Sequence, residues 1–306
     1  MTASGWYWPE NGKTRGENTM SEINYWLHAI TPLHVGAGRG LGYIDMPIVR
    51  EKVTNWPYIP GSSIKGVIAD HFGASEENER RKEENRHLKA AFGTSGSDND
   101  CAAGALVFTD ADILCLPIRS FYGTFAWVTS PFCLKRAGID VSLPNFQKEY
   151  DAFITGDSKL TGHDGKIYIE DLDINTQKIT EAGKIAGYIA ESIFSDDKEM
   201  HDIFTERFAV VSDDLFTFLC ESGTEVNAHI RINSKTGIVE QGALWYEESL
   251  PAETILTGKI WCDKVFVKDI TEQNLFEHFC GKNLTLQIGG KASTGKGLVQ
   301  CIFGSR

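Results

Sequence analysis

Residues 22–30 (EINYWLHAI) alternate apolar and polar side chains, the period-two signature of a strand with one buried face. Residues 62–72 (SSIKGVIADHF) switch to helical spacing: Ile64, Val67, Ile68 and Phe72 share one stripe behind a serine cap. Residues 75–92 continue as a densely charged helix with a solvated face, and 93–104 as a loop of glycine, serine and aspartate. Short apolar runs across 105–131 predict core strands and a turn, broken at Pro117 and Gly123. Residues 144–165 read as loop-rich, and 174–194 as a helix broken at Gly183. Between 226 and 245, Val226, Ala228, Ile230 and Ile232 face one way and Asn227, His229, Arg231 and Asn233 the other. With the turn Ser234-Lys235-Thr236-Gly237, that segment predicts a β-hairpin. A strand at 256–266, a helix at 270–280 and a last strand within QIGGKASTGKGLVQCIF complete the chain. No run of βαβ units and no fixed-period repeat occurs, so the pattern predicts an α+β fold rather than a doubly wound parallel sheet.

Composition narrows the class. At 306 residues the chain can bury a sizeable core, as one large domain with insertions or as two domains. No apolar run reaches the roughly 18 residues of a membrane span. Residues 1–20 lack an apolar stretch behind a basic start; they read as a loose polar leader, not a secretory signal. Seven cysteines, odd in number and without a CxxC pair, read as reduced core thiols and predict a cytoplasmic location. The net charge of −12 counts against a nonspecific nucleic-acid binder. It leaves room for a local basic surface: residues 281–306 hold Lys282, Lys291, Lys296 and Arg306 and no acid.

The candidate chemistry concentrates in residues 33–66. Gly36, Gly38, Gly40 and Gly42 form a loop that lets backbone approach a ligand, or simply a structural turn. It fails the dinucleotide fingerprint, because Leu41 stands where the third glycine would fall. Asp45 follows within an apolar stretch; it reads either as an acceptor of backbone N–H groups or as a catalytic or metal-holding acid. His34, before the loop, reads as a structural residue, a proton-transfer partner or an RNA contact. The helix start at Gly61-Ser62-Ser63, with Lys65 behind it, presents N–H groups and a positive dipole end suited to phosphate. The segment 290–297 (GKASTGKG) nearly matches a phosphate loop, yet Gly297 replaces the hydroxyl and too little chain follows for a nucleotide-binding core. Lys291 and Lys296 there could hold backbone phosphate, or the segment could be a tight connection. Glu247 and Glu248 end an apolar run; as strand neighbours they point oppositely, so at most one would join Asp45, and a solvated strand-end pair is the plain reading. Hydrolase elbows, HExxH helices and paired-cysteine zinc sites are absent from the sequence.

Five segments in order (33–51, 57–68, 104–131, 242–251 and 288–298) resemble the RAMP superfamily of CRISPR proteins, and more narrowly the repeated backbone subunit of type III-B effector complexes. The resemblance spans residue 22 onward. It implies a single domain over 21–306 with an RRM-like (ferredoxin-like) core, insertions at about 73–104 and 140–200, and a protruding β-hairpin thumb. The candidate thumb is 226–242, with 140–170 as the other option. Implied partners are guide RNA, target RNA, further copies of the chain and other subunits of the complex, with no membrane. The implied activity is cleavage of guide-paired target RNA at regular intervals, with Mg²⁺ or another divalent cation. By the same resemblance Asp45 is the cleavage acid and metal holder, His34 the motif histidine, and Glu247 or Glu248 a further acid. Gly38, Arg39, Gly40, Ser62, Ser63, Lys65, Gly289, Gly290, Lys291 and Lys296 would line the RNA, with His229 and Arg231 on the thumb. Two other readings stay open: a scaffold that only holds guide RNA, and a single-copy guide-processing endonuclease with a histidine-centred, metal-independent site.

Overall fold

The computed structural model describes residues 22–38, 40, 42–94, 102–140, 142–146 and 151–304. The leader 1–20, Arg39, Cys101 and most of the 93–104 loop lie outside the described residues.

The chain opens with β1 (Glu22–Ala29), the short β2 (Tyr58–Ile59) and α1 (Gly61–His71). Helices α2 (Glu77–Arg81) and α3 (Arg86–Phe92) precede the paired β3 (Gly93–Thr94) and β4 (Ala102–Ala103). Next come β5 (Leu106–Phe108), β6 (Ala111–Arg119), β7 (Phe125–Thr129) and α4 (Pro131–Arg136). The chain continues with β8 (Ala152–Ile154), β9 (Lys166–Ile169), β10 (Leu172–Lys178), α5 (Thr180–Phe194) and α6 (Lys198–Glu206). Then follow β11 (Phe208–Val211), α7 (Asp213–Ser222) and the hairpin of β12 (Glu225–Ile232) and β13 (Val239–Ser249). The chain ends through β14 (Ile255–Cys262), α8 (Glu272–Cys280), β15 (Leu284–Gln287) and β16 (Leu298–Phe303).

This is an α+β architecture around one large mixed sheet of order β15-β16-β1-β14-β6-β7-β11-β8-β10-β9. Within it, β16, β1, β14 and β6 are antiparallel neighbours, with α1 between β1 and β6 in the chain and α8 between β14 and β16. β11 runs parallel to β7, and β10 parallel to β8, which makes the sheet mixed. Burial follows the period-two reading of β1: Tyr25, Leu27 and Ala29 are fully buried. Phe279 of α8 packs edge-on against Phe72 and Phe92, joining α8 to the end of α1 and to α3. Cys115, Cys133, Cys220 and Cys301 are buried free thiols.

Several local expectations change. α1 is not capped by serine. Its N-cap is Pro60, and the Gly61 N–H is taken by the Asp110 carboxylate at 2.7 Å. Gly61 is buried with no room for a Cβ beside the Phe108 and Thr109 carbonyls, so the cap must come from a neighbouring strand end. Asp110→Ala is therefore expected to cost about 1 kcal/mol, read as a lower urea midpoint at unchanged slope. The charged segment 75–92 splits into α2, a 3₁₀ turn and α3, and α3 is not a solvated face: Leu88, Ala90, Ala91 and Phe92 are buried. Pro117 does not break its strand. It pairs with Trp127, whose N–H donates to the Arg207 carbonyl on the far side, so Pro117 sits in a non-hydrogen-bonded pair. The outward edge of β6 there lies beyond Ile255, where β14 begins, so the missing N–H leaves no ladder gap. Residues 172–178 are strand, and the helix that follows runs from Thr180 through Gly183 unbroken, because its buried stripe of Ala182, Ile185, Ala186, Ile189 and Ala190 outweighs glycine's modest cost. The loop-rich stretch 144–165 contains β8, too short for its pattern to register.

Candidate RNA-cleavage site

The hairpin and the glycine loop meet at residues 45–48 and 246–248. Residues 45–48 lie alongside β13: Met46 bridges Glu247 in parallel register. Met46 N–H donates to the Tyr246 carbonyl at 3.1 Å, and Glu248 N–H to the Met46 carbonyl at 3.0 Å. Asp45 is exposed, and its Oδ2 accepts the Tyr246 N–H at 2.8 Å. Its Oδ1 accepts no hydrogen bond from the described residues. The carboxylate accepts one backbone N–H, as the plain reading of Asp45 expects, and the residue is exposed.

The two glutamates differ sharply from Asp45. They are not a solvated pair: Glu247 is 1% and Glu248 3% exposed. They do point oppositely, each into its own set of partners. Glu247 meets Lys296 at 2.8 Å through Oε1 and Lys291 at 3.0 Å through Oε2. Burial pushes its carboxyl up, but the hydrogen bonds from Lys296 and Lys291 prevail and hold it below the usual range. Glu248 accepts Arg50 at 2.6 Å and the Thr224 hydroxyl at 2.9 Å on Oε1, and the Ile48 N–H at 3.0 Å on Oε2. All four glutamate oxygens are engaged, so of the three acids only Asp45 has a free one.

His34 is buried, and its Nδ1–H donates to the Glu248 carbonyl at 2.6 Å. Because a carbonyl can only accept, that bond puts a proton on Nδ1. Nε2 lies 2.9 Å from where a Cβ on Gly36 would stand. The His34 carbonyl accepts the Gly290 N–H at 2.9 Å and leaves no space for a Cβ at Gly289, whose φ is +79°. Much of the glycine content therefore serves packing of the chain on itself around His34. Gly40 is similar: its N–H closes a turn on the Asp45 carbonyl at 3.0 Å, and a Cβ would strike Ile44. Gly38 is exposed, with φ +94° and nothing within 4 Å of a Cβ, so it keeps an open approach for a ligand.

The remaining expected contacts divide. Ser62 is exposed at the start of α1, while the Ser63 N–H is taken by the Pro60 carbonyl at 2.9 Å. Lys65 is turned inward: its Nζ donates to the Leu106 carbonyl at 2.9 Å, and burial, with the Arg80 charge, pushes its ammonium below the usual value. On the hairpin, His229 stacks on Trp245 with centroids 5.6 Å apart, and its Nε2 is buried without a partner. Arg231 is exposed, 3.7 Å from Glu240. The opposite hairpin face is apolar yet exposed, with Val226, Ile230, Ile232 and Leu244 open to solvent. Arg50, Thr224 and Ser249 are not singled out by any sequence pattern; the available signal is Arg50, the first charge after the apolar Met46-Pro47-Ile48-Val49. Among the described residues no three His, Cys, Asp or Glu side chains converge to hold a metal, and no helix is long and apolar enough to cross a membrane.

Comparison with known proteins agrees with this architecture. The family model of the RAMP superfamily matches residues 26–300, so the chain belongs to that superfamily. It is 35% identical to the CRISPR system Cmr endoribonuclease Cmr4 of Pyrococcus furiosus, over 90% of this chain and 92% of that protein. The crystal structure of oligomeric Cmr4 from Pyrococcus furiosus superposes with a TM-score of 0.65 at 25% identity, covering 94% of this chain and 98% of the other. A chain of the type III-B Cmr-beta complex bound to cognate target RNA shares the fold, with a TM-score of 0.69 at 20% identity over 92% and 97% of the two chains.

Proposed function

We propose that this chain is the repeated backbone subunit of a type III-B CRISPR effector complex, that it binds guide RNA along a filament of copies, and that it cleaves the paired target RNA. The observation that carries the reading is the exposed, backbone-anchored Asp45 at the root of the hairpin, in a chain similar over nearly its whole length to a Cmr endoribonuclease. The four strands in the order β16-β1-β14-β6, with α1 and α8 as crossovers, support an RRM-like core within one domain. The hairpin β12–β13 is the thumb; it extends past the expected 226–242, and its exposed apolar face suits contact with bases. Partners are guide RNA, target RNA, other copies and other subunits, and the role carries a cytoplasmic location with it.

The chemistry follows from RNA itself. A 2′-OH aligned in line attacks the adjacent phosphorus: it gives its proton to a base, its oxygen bonds to phosphorus as the P–O5′ bond breaks, and the 5′-oxygen takes a proton from water, leaving a 2′,3′-cyclic phosphate and a 5′-OH. A carboxylate is a weak base for a hydroxyl, so the task of Asp45 is to orient the 2′-OH and receive its proton in a site dried by the duplex. Splaying one target nucleotide out of the stack frees the backbone to align, at a cost of a few kcal/mol. The thumb, beside Asp45, is placed to do that. Asp45 offers one free carboxylate oxygen, which fits a cation of the Mg²⁺ type, commonly held by one or two carboxylates plus substrate phosphates. Such an ion would supply positive charge to the phosphate during attack. Glu247 and Glu248, fully engaged, would hold the fold around Asp45 instead of reacting.

The test uses the assembled complex, a defined guide and an end-labelled complementary RNA, with Mg²⁺ or with EDTA. Evenly spaced products that vanish with EDTA are expected. An undiminished ladder in EDTA would remove the cation from the proposal; no ladder under either condition would leave the chain a guide-holding scaffold.

A further inference from the structure

The C-terminal turn reaches the site through one acid. Lys296 Nζ donates to Glu247 Oε1 and to Ser249 Oγ, each at 2.8 Å, and its side chain is only 12% exposed. Lys291, the second cation on Glu247, is 31% exposed. The turn is firmly seated: Gly297 N–H donates to the Pro32 carbonyl at 2.9 Å, and Gln287 Nε2 to the Lys296 carbonyl at 2.6 Å. Glu247 directly follows Tyr246, whose N–H holds Asp45, and it bridges Met46, which directly follows Asp45. A shift of residues 246–248 therefore moves the donor on which Asp45 rests.

We propose that Lys296 is a positioning residue for Asp45: by neutralising Glu247 and holding Ser249 it fixes β13 where the Tyr246 N–H meets the Asp45 carboxylate. The inference rests on Asp45 being the cleavage acid. It replaces the expectation that Lys296 binds a backbone phosphate. Without Lys296, Lys291 still holds Glu247 Oε2, but the buried Oε1 and the Ser249 hydroxyl lose their shared donor, and an unpartnered buried oxygen must move toward water or another donor. Lys291 sits on the other oxygen of Glu247, whereas the Ser249 hydroxyl is met by Lys296. Either response loosens β13, and a misplacement of about 1 Å can cost on the order of a hundredfold in rate. A phosphate contact would behave differently, adding about 0.7 to the salt slope of single-strand RNA binding.

The experiment compares wild type, Lys296→Met, Glu247→Gln/Lys296→Met and Asp45→Ala in the reconstituted complex. Single-turnover cleavage is measured at saturating target RNA, and target affinity across a salt series. Lys296→Met should slow cleavage by roughly ten- to a hundredfold, with affinity within about twofold and an unchanged salt slope. The double variant, in which no buried carboxylate is left with an oxygen lacking its donor, should recover most of the rate. Weaker binding with a shallower salt slope would make Lys296 a phosphate contact, and wild-type cleavage in Lys296→Met would remove any role; either overturns the proposal. Should Lys296→Met not assemble, the double variant decides: restored assembly and cleavage support the pairing, while an inactive or unassembled double variant overturns it. A ladder that persists in Asp45→Ala would instead remove the underlying reading, whatever Lys296 does.

Discussion

Asp45→Ala should abolish target cleavage while guide and target RNA bind within about twofold of wild type, a loss of about 10²–10⁴ in single-turnover rate. The asymmetry comes from the surroundings of the carboxylate. Asp45 is exposed and makes one side-chain hydrogen bond, to the Tyr246 N–H, so its removal costs the fold on the order of 1 kcal/mol. RNA affinity rests mainly on cations facing phosphates, and loss of one negative charge does not weaken it. Asp45→Asn sharpens the test, because the amide oxygen can still accept the Tyr246 N–H. It should assemble and melt like wild type and be as inactive as alanine. If both variants assemble and cleave normally, the chemistry lies on another residue or another subunit. If Asp45→Ala fails to assemble while Asp45→Asn assembles and cleaves, the hydrogen bond to Tyr246 is the whole contribution of Asp45 and the acid is structural.

What the sequence made legible divides along physical lines. β1, α1 and the hairpin were readable because each buries or exposes a face long enough for its period to show over seven or more residues. β8, at three residues, carries no period, and its place beside β10 and β11 is decided by pairing with strands far along the chain. Local preference alone makes Pro117 and Gly183 breakers, and tertiary pairing and a buried stripe override both. Asp45 was legible as an acid between a glycine loop and an apolar run. Its neighbours were not: the partners that bury Glu247 return 44 and 49 residues later, as Lys291 and Lys296. No local pattern distinguishes a lysine that will face RNA from one that will neutralise a buried glutamate. Glycine was ambiguous in the same way. Gly36 and Gly289 are small because a Cβ on either would strike His34, whereas Gly38 is open.

The second large effect concerns stability. Glu248→Ala is expected to destabilise the fold by about 3–5 kcal/mol. A loss of about 3 kcal/mol would lower Tm by roughly 10 °C in a chain of this size. The glutamate is 3% exposed and ties together three separate pieces of chain: Ile48 and Arg50 after the glycine loop, Thr224 at the entry to the hairpin, and β13 itself. Deleting it strands the Arg50 guanidinium, whose side chain is 15% exposed, and leaves the Ile48 N–H without its acceptor. Arg50→Ala should cost less, because Glu248 keeps the Ile48 N–H and the Thr224 hydroxyl. Arg50→Ala also removes the guanidinium's bonds to the Asn55 and Cys220 carbonyls, so a double-mutant cycle is needed to isolate the pair. A coupling of about 1 kcal/mol or more, as residues in direct contact show, would place Glu248 in the scaffold. A Glu248→Ala variant that melts like wild type yet no longer cleaves would instead return this glutamate to the chemistry beside Asp45. The two carboxylates would then have to share the RNA, and the hydrogen bonds that now occupy Glu248 would have to open when RNA binds.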